Sequence, residues 1–235
     1  MVRQLTTNRT VDCAVQVHAD ASNFADGVTK DDAYEQVLLQ AEGLFTDQRN
    51  WVRIPRFDAR TRQLTRLVRR RCGKACSCMT RMPMVLTTCA SNLANAASLL
   101  WHAYKSLPAP SHEVNWAGFY VLDPSSPKPQ LILGPFQGRV ACQTIDFGRG
   151  VCGTAAASQT TQLVADVDEF PGHIACDSDS KSEIVVPILA DRDGSGTKKL
   201  VAIIDVDCAA LEGFDGLDKK YLEELAELLS KSCDW

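Results

Sequence analysis

Apolar residues recur at steps of three and four near the start of the chain, at Tyr34, Val37, Leu38, Ala41 and Leu44. Thr29 precedes them as a helix cap, with Asp32 at the third helical position. The spacing predicts a helix of about 15 residues with one face on a core.

The helical spacing returns twice farther along the chain. Residues 91–104 are small and apolar, and Pro108 and Pro110 end the segment. From 217 to 230, leucines lie on one face and acids on the other, which is typical of an amphipathic helix.

Short apolar runs fill the region between these two segments. The predicted strands are 114–122, 130–133, 140–146, 163–167, 184–189 and 200–206. Helices at both ends of a run of strands predict an α+β domain with one central, mostly antiparallel sheet flanked by N- and C-terminal helices.

Composition and charge limit the cellular compartment and the classes of partner that we expect. The 235 residues are 45% hydrophobic and 23% charged, enough for one good core. The start lacks the apolar segment of a signal peptide, and no later run is long enough to span a membrane, so we expect a cytoplasmic protein with no membrane partner. The net charge of −4 favours no nucleic acid. The ten cysteines are then expected as reduced thiols, with metal or redox roles open.

One segment, 53–90, differs in composition from the rest. It holds ten basic residues, one acid and four cysteines, Cys72, Cys76, Cys78 and Cys89, with no steady apolar period. The cysteine spacing is not that of the usual zinc knuckles, so incidental thiols are favoured over a zinc site and no metal is assigned. A basic segment could bind phosphate non-specifically, but this one lacks the interleaved aromatic residues and the recognisable motif of a nucleic-acid binder.

Three other cysteines, Cys142, Cys152 and Cys176, lie close to glycines or inside tight polar loops. A structural cysteine is normally buried, whereas a reactive one needs a partly exposed position that favours the thiolate. Their placement indicates sulfur chemistry. Asp205 and Asp207 stand two apart on an otherwise apolar strand, hence on one face, and buried acids need partners.

Six short motifs lie along the second part of the chain, namely Asn115-Trp-Ala-Gly-Phe-Tyr120, Gly134-Pro-Phe-Gln-Gly138, Gly150-Val-Cys-Gly153, Phe170-Pro-Gly-His-Ile-Ala-Cys-Asp177, Ser182-Glu-Ile-Val-Val-Pro187 and Ile204-Asp-Val-Asp207. Together they resemble the free methionine-R-sulfoxide reductases, single-domain enzymes of the GAF fold. The resemblance covers 29–52 and 91–233. It implies a GAF-like catalytic domain at 29–235, after an N-terminal extension at 1–28 that we expect to be disordered.

The resemblance also implies roles for the cysteines. Cys176 would attack the sulfoxide sulfur, release methionine and become a sulfenic acid, which condenses readily with a thiol. Cys142 is the expected resolving partner, and Cys152 an alternative one. A thioredoxin-type dithiol would then reduce the disulfide by exchange, and no cofactor is needed.

A free amino acid is a zwitterion, so its pocket must match an ammonium and a carboxylate. The resemblance places Glu183, Asp205 and Asp207 around the substrate, where crowded carboxylates raise one another's pKa and one can act as an acid. Trp116 and Tyr120, four apart on one strand face, would wall the methyl-sulfinyl end. Backbone amides around 148–153, if they open a helix, would cap the carboxylate. His173 is expected to order its loop.

In the resembling family the first two helices run on almost directly, so 53–90 interrupts the domain. The segment is either a lineage-specific surface insertion or a translated intron. The alternative function is a non-catalytic GAF sensor of a small molecule, although this chain carries cysteines that a sensor does not require. The sequence does not decide the oligomeric state, and a homodimer is one alternative.

Overall fold

The computed structural model describes residues 23–46, 90–173, 178–192 and 194–235. Its α-helices are α1 (Lys30–Phe45), α2 (Ala90–Ser106), α3 (Gly150–Ser158) and α4 (Gly216–Ser232). Its strands are β1 (Val114–Leu122), β2 (Gln130–Gly138), β3 (Thr144–Asp146), β4 (Gln162–Val164), β5 (Ser182–Ala190) and β6 (Lys199–Cys208). The three predicted helices are present, and the Thr29 hydroxyl accepts from the Asp32 N–H as expected of the cap.

The strands form one sheet in the order β3-β2-β1-β6-β5-β4, and every neighbouring pair is antiparallel. The predicted α+β class with a central antiparallel sheet is therefore confirmed. β1 and β6 are the two middle strands. Their register sets Trp116 opposite Asp207, and Gly118 opposite Asp205.

Three strand boundaries in the sequence-based prediction are wrong. β2 continues through Pro135, which lies at a register shift of the β1–β2 pair. On its other edge β2 pairs with β3 only at 130–132. Because a proline has no N–H to donate, it is tolerated at such a position, where no hydrogen bond between strands is lost. The strand expected from Val140 begins only at Thr144, since Gly138 turns the chain at φ +121°. The strand expected to reach Val167 ends at Val164, and a 3-10 turn capped by the Asp166 side chain follows.

The two faces of the sheet carry different layers. α2 and α4 pack on one face, and α1 packs on these two helices; alternate strand residues such as Ile184, Val186 and Ile204 are buried in this core. The opposite face carries α3 and a smaller apolar cluster that includes Val185 and Ile203. Because strand side chains alternate between faces, the core on the helical side leaves the other face available for a site.

A buried polar network joins the helical layer. The Asp218 carboxylate is fully buried and accepts from the Lys30 ammonium at 2.7 Å, the Tyr34 hydroxyl at 2.8 Å and the Asp215 backbone N–H at 2.8 Å. The Tyr34 hydroxyl also bonds to that of Tyr104. Burial raises the pKa of Asp218, and the bond from Lys30 opposes that rise. The network ties α1, α2 and α4 together through polar atoms that each have a partner.

Two predicted regions fall mostly outside the described residues. Of the extension at 1–28, only 23–28 is described, and there Phe24 and Val28 pack against the helical core. Of the segment at 53–90, only Ala90 is described, where it begins α2. No helix within the described ranges is long and apolar enough to cross a bilayer.

Replacing Tyr34 with Phe is expected to lower the free energy of unfolding by about 1–3 kcal/mol, because the Tyr104 hydroxyl and Asp218 each lose a buried partner. Tyr221→Phe is the matched control. Its ring stacks on Tyr34 at 5.0 Å, but its hydroxyl donates to the exposed Asp31 and not to the buried Asp218, so we expect a smaller loss. Urea unfolding with an unchanged m-value measures both. Equal losses would contradict a special role for the network.

Candidate active site

A cavity of about 250 Å³ opens on the sheet face opposite the helical layer. Its floor comes from β1, β5 and β6, and its rim from the segment 140–152, which includes the first turn of α3. Seven of the eight predicted site residues line it, namely Trp116, Tyr120, Cys142, Cys152, Glu183, Asp205 and Asp207. The eighth, Cys176, lies outside the described residues.

The three acids meet through strand register. Asp205 and Asp207 occupy alternate positions on β6 and so share a face, while Glu183 on β5 stands directly opposite Asp207. Glu183 and Asp205 are 6% and 5% exposed, so both are nearly withdrawn from water. Three carboxyl groups thus crowd one wall of the cavity.

Burial and crowding make this acid cluster hold protons. Burial, then the neighbouring Asp205 and Asp207, raise the pKa of Glu183 well above its ordinary value. Burial raises the pKa of Asp205 to about 6. The Oδ1 atom of Asp205 is buried and has no hydrogen-bond partner within the described part of the chain. The cluster can therefore supply a proton near neutral pH, and it has an acceptor ready for a ligand.

Cys152 lies against the acids from the first turn of α3. Its thiol donates to the Glu183 carboxyl oxygen, with the sulfur 3.5 Å from Oε1. Burial raises the pKa of the Cys152 thiol most, and the nearby Asp205 and Glu183 carboxylates raise it further. Because the thiolate is the nucleophile, this environment suppresses nucleophilic attack by Cys152.

Cys142 lies on the rim of the cavity and is disulfide-bonded. Cys152, Cys208 and Cys233 are free thiols, so the partner of Cys142 is outside the described residues. The neighbours of the four-residue segment 174–177 border the same space, since His173 and Ser180 both line the cavity.

Aromatic rings form the wall beside the acids. The Trp116 indole stacks between Tyr120, with centroids 5.8 Å apart, and Phe136, at 5.3 Å. Gly118 makes this stack possible, because an added Cβ would lie 2.3 Å from the Phe136 Cβ and 2.7 Å from the indole. The Trp116 Nε1 donor is buried without a partner within the described ranges.

Sequence reasoning missed several residues that line the cavity or shape its wall. Gly118 was not singled out, although its place between Trp116 and Tyr120 on one strand face was a signal. Arg149 lines the rim and is the N-cap residue of α3; its signal was its position between two glycines. Asp146 was also missed; a hydrogen bond from Lys128, followed by one from Gln130, holds its pKa low.

α3 begins at Gly150, so the glycine-rich stretch does open a helix at the cavity. The N–H groups in the first turn of a helix lack intrahelical partners and favour an anion. The cavity thus offers proton-holding acids on one side, an apolar aromatic wall, and a site for negative charge at the rim. This arrangement suits a small zwitterion with an apolar end.

The chain has relatives among characterised families and solved structures. The GAF domain family matches residues 57–233. The free methionine-R-sulfoxide reductase of Saccharomyces cerevisiae is 46% identical over 92% of this chain and 94% of the relative. The Escherichia coli protein of the same name is 40% identical over 62% of this chain and 78% of its own length. The Neisseria meningitidis free methionine-R-sulfoxide reductase, solved in complex with its substrate, is 34% identical with a TM-score of 0.62, covering 89% of this chain and 93% of that one.

Replacing Asp205 with Asn is expected to change how stability depends on pH. The folded-state pKa of about 6 lies above the ordinary 3.8, so the native protein holds a proton that the unfolded chain has lost. Wild-type stability should therefore fall as pH rises from about 4 to about 6, by about 3 kcal/mol at most from this group.

Asp205→Asn removes that loss, so the variant should gain on the wild type over this pH range in urea unfolding curves. Glu224→Gln, which neutralises an exposed carboxylate on α4, is the control for net charge and should run parallel to the wild type. Parallel curves for Asp205→Asn would contradict the protonated cluster.

Proposed function

Because the chain belongs to the free methionine-R-sulfoxide reductases, enzymes built on the GAF domain, we propose that its cavity binds the free amino acid and that Cys176 attacks the sulfoxide sulfur. The chain is an oxidoreductase that reduces free methionine-R-sulfoxide to methionine. The observation that supports this placement best is the buried, proton-holding cluster of Glu183 and Asp205 at the wall of a cavity of amino-acid size.

Covalent geometry supports Cys176 as the nucleophile. In the sequence Cys176 follows His173 by three residues and precedes Ser178 by two, and a stretch of three residues spans at most about 11 Å. His173 and Ser180 line the cavity, as does Cys142. A side chain at 176 is therefore within reach of the same space, and Cys176 is our proposed partner for the Cys142 disulfide.

The proposed reaction balances in three steps. The Cys176 thiolate attacks the sulfoxide sulfur, the sulfur–oxygen bond of the substrate breaks, and the oxygen remains on the cysteine as a sulfenic acid while methionine leaves. The Cys142 thiol then attacks that sulfenic sulfur, which forms the disulfide and releases water. An external dithiol reduces the disulfide by exchange and is itself oxidised.

The acid cluster supplies the proton that the first step requires. The sulfoxide oxygen gains negative character as the thiolate attacks, so a positioned carboxylic acid lowers the barrier. Glu183 and Asp205 hold a proton near neutral pH, and Asp205 Oδ1 has no competing partner in the described chain. We assign proton donation to this pair, with Asp207 beside them as a counter-charge for the ammonium.

The other walls orient the substrate. Stacked Trp116 and Tyr120 offer an apolar surface for the methyl group of the sulfoxide. The first turn of α3 and the Arg149 guanidinium at the rim suit the α-carboxylate. Binding at both ends would hold the sulfur at one position between the acids and the nucleophile.

The raised pKa of Cys152 favours Cys142 as the resolving residue, because Cys152 is kept as a thiol hydrogen-bonded to Glu183. A protein dithiol of the thioredoxin type in a reducing cytoplasm would regenerate the enzyme. A homodimer remains a prediction. The sensor alternative has less support, since it gives no role to a disulfide at the rim of an acid-lined cavity.

Cys176→Ser is expected to abolish turnover, because serine is a far weaker nucleophile than a thiolate. Cys142→Ser should release about one methionine per active site and then stall, since the sulfenic acid has lost its resolving thiol. Single-turnover and thioredoxin-coupled assays of methionine release separate the two variants. Cys233→Ser, which alters a buried free thiol of the helical layer, is the control and should keep full turnover. Full steady-state activity in Cys142→Ser would move the resolving role to Cys152.

Free methionine-R-sulfoxide is expected to be reduced roughly a hundredfold faster than the same residue inside a peptide, because an amide in place of the ammonium leaves cavity acids unpaired at a cost of a few kcal/mol. Comparing kcat/KM for the free R epimer, the free S epimer and an N-acetylated peptide amide measures this. Comparable values for free and peptide-bound substrate would contradict the proposed role of the acids.

A further inference from the structure

The acid cluster and Cys152 also form a set of potential metal ligands. The Cys152 sulfur and one carboxyl oxygen each from Glu183 and Asp205 lie within 4.8 Å of one another, and all three side chains are buried. We propose that this cluster binds a thiophilic divalent cation such as Zn²⁺, and that the bound cation blocks the cavity to substrate. Metal binding stands on these residues alone, whereas the blocking role rests on the function proposed above.

The spacing fits tetrahedral zinc closely. Zinc–sulfur and zinc–oxygen bonds of about 2.3 Å and about 2.1 Å at the tetrahedral angle put sulfur and oxygen about 3.6 Å apart. The Cys152 sulfur lies 3.5 Å from Glu183 Oε1. The Asp205 carboxyl oxygen lies within 4.8 Å of both atoms, so its movement toward the cation would complete a three-ligand site.

A second observation points to a ligand at the same place. Asp205 is 5% exposed, yet its Oδ1 atom has no hydrogen-bond partner within the described residues. A buried polar atom without a partner is costly, and a cation would satisfy it. As the metal binds, the Cys152 thiol proton, which now bonds to Glu183, and the protons held by Glu183 and Asp205 would leave to solvent.

The ligand types select the cation and predict its effect. Mg²⁺ and Ca²⁺ prefer all-oxygen sites, whereas a thiolate with carboxylates suits zinc and cobalt. Three protein ligands leave a fourth position open, as in zinc sites that accept water or substrate. Cys152, Glu183 and Asp205 all line the cavity, so this position faces the space that the amino acid would occupy.

Cobalt tests the site directly, because Co²⁺ bound to a thiolate gives a sulfur-to-metal charge-transfer absorption. The protein is used with the Cys142 disulfide formed, which removes that thiol, and with Cys72, Cys76, Cys78 and Cys89 replaced by serine. We expect one equivalent of Co²⁺ with the charge-transfer band, and its displacement by one equivalent of Zn²⁺.

Cys152→Ser should abolish the band. Glu183→Gln and Asp205→Asn should each weaken cobalt affinity by at least about tenfold, which even outer-shell changes cost. Cys208→Ser, at a free buried thiol that bonds to the Pro110 carbonyl, is the matched control and should keep the band and its stoichiometry.

Absence of the band in the parent protein, or its persistence in Cys152→Ser, would overturn the proposal. Zinc that binds with the expected stoichiometry but leaves the KM for methionine-R-sulfoxide unchanged would overturn the blocking role. Because cobalt binding is read by absorbance, the outcomes that test metal binding are independent of whether Cys176 and Cys142 have the catalytic roles proposed for them, whereas the KM outcome tests only the blocking role.

Discussion

Carboxyl groups buried on the middle of the sheet are the constraint around which this molecule is arranged. Glu183 on β5 and Asp205 on β6 are only 6% and 5% exposed, and an unpaired charge so far from water is expensive. The protein lowers that cost by retaining protons on them and by bonding Glu183 to the Cys152 thiol. One acceptor, Asp205 Oδ1, has no hydrogen-bond partner among the described residues, which leaves it available to a ligand.

Asp218 is also a buried aspartate, but its carboxylate has hydrogen-bond partners on both oxygens. It is more deeply buried than Asp205, yet an ammonium, a hydroxyl and a backbone N–H all bond to it. On the helical face the polar group is fully satisfied and holds three helices in register. On the cavity face the Asp205 carboxyl group keeps one oxygen without a hydrogen-bond partner among the described residues. One face of the sheet thus carries the polar network that joins the helices, and the other face carries the acids of the cavity.

Much of this arrangement could be read from the residues. The helices followed from apolar spacing and the Thr29 cap, and seven of the eight named site residues lie together as the motifs indicated. The boundaries of β2 and β3 were misjudged, because tolerance of Pro135 depends on which edge of the strand is paired. Gly118 was missed for a related reason, since its importance is the absence of a side chain under a ring folded over from Trp116. Such facts depend on pairing and on contacts, which local patterns do not contain.

The end of α1 and the start of α2 both lie away from the cavity, which bears on the length of the connection between them. Phe45 and the start of α2 both belong to the helical layer, on the side of the sheet away from the cavity. The connection therefore joins the described structure at two points on that side, and the entropy of closing a loop rises slowly with its length. A change in the length of this connection is therefore expected to leave the cavity unaltered, and a reporter domain inserted there should leave the cavity open.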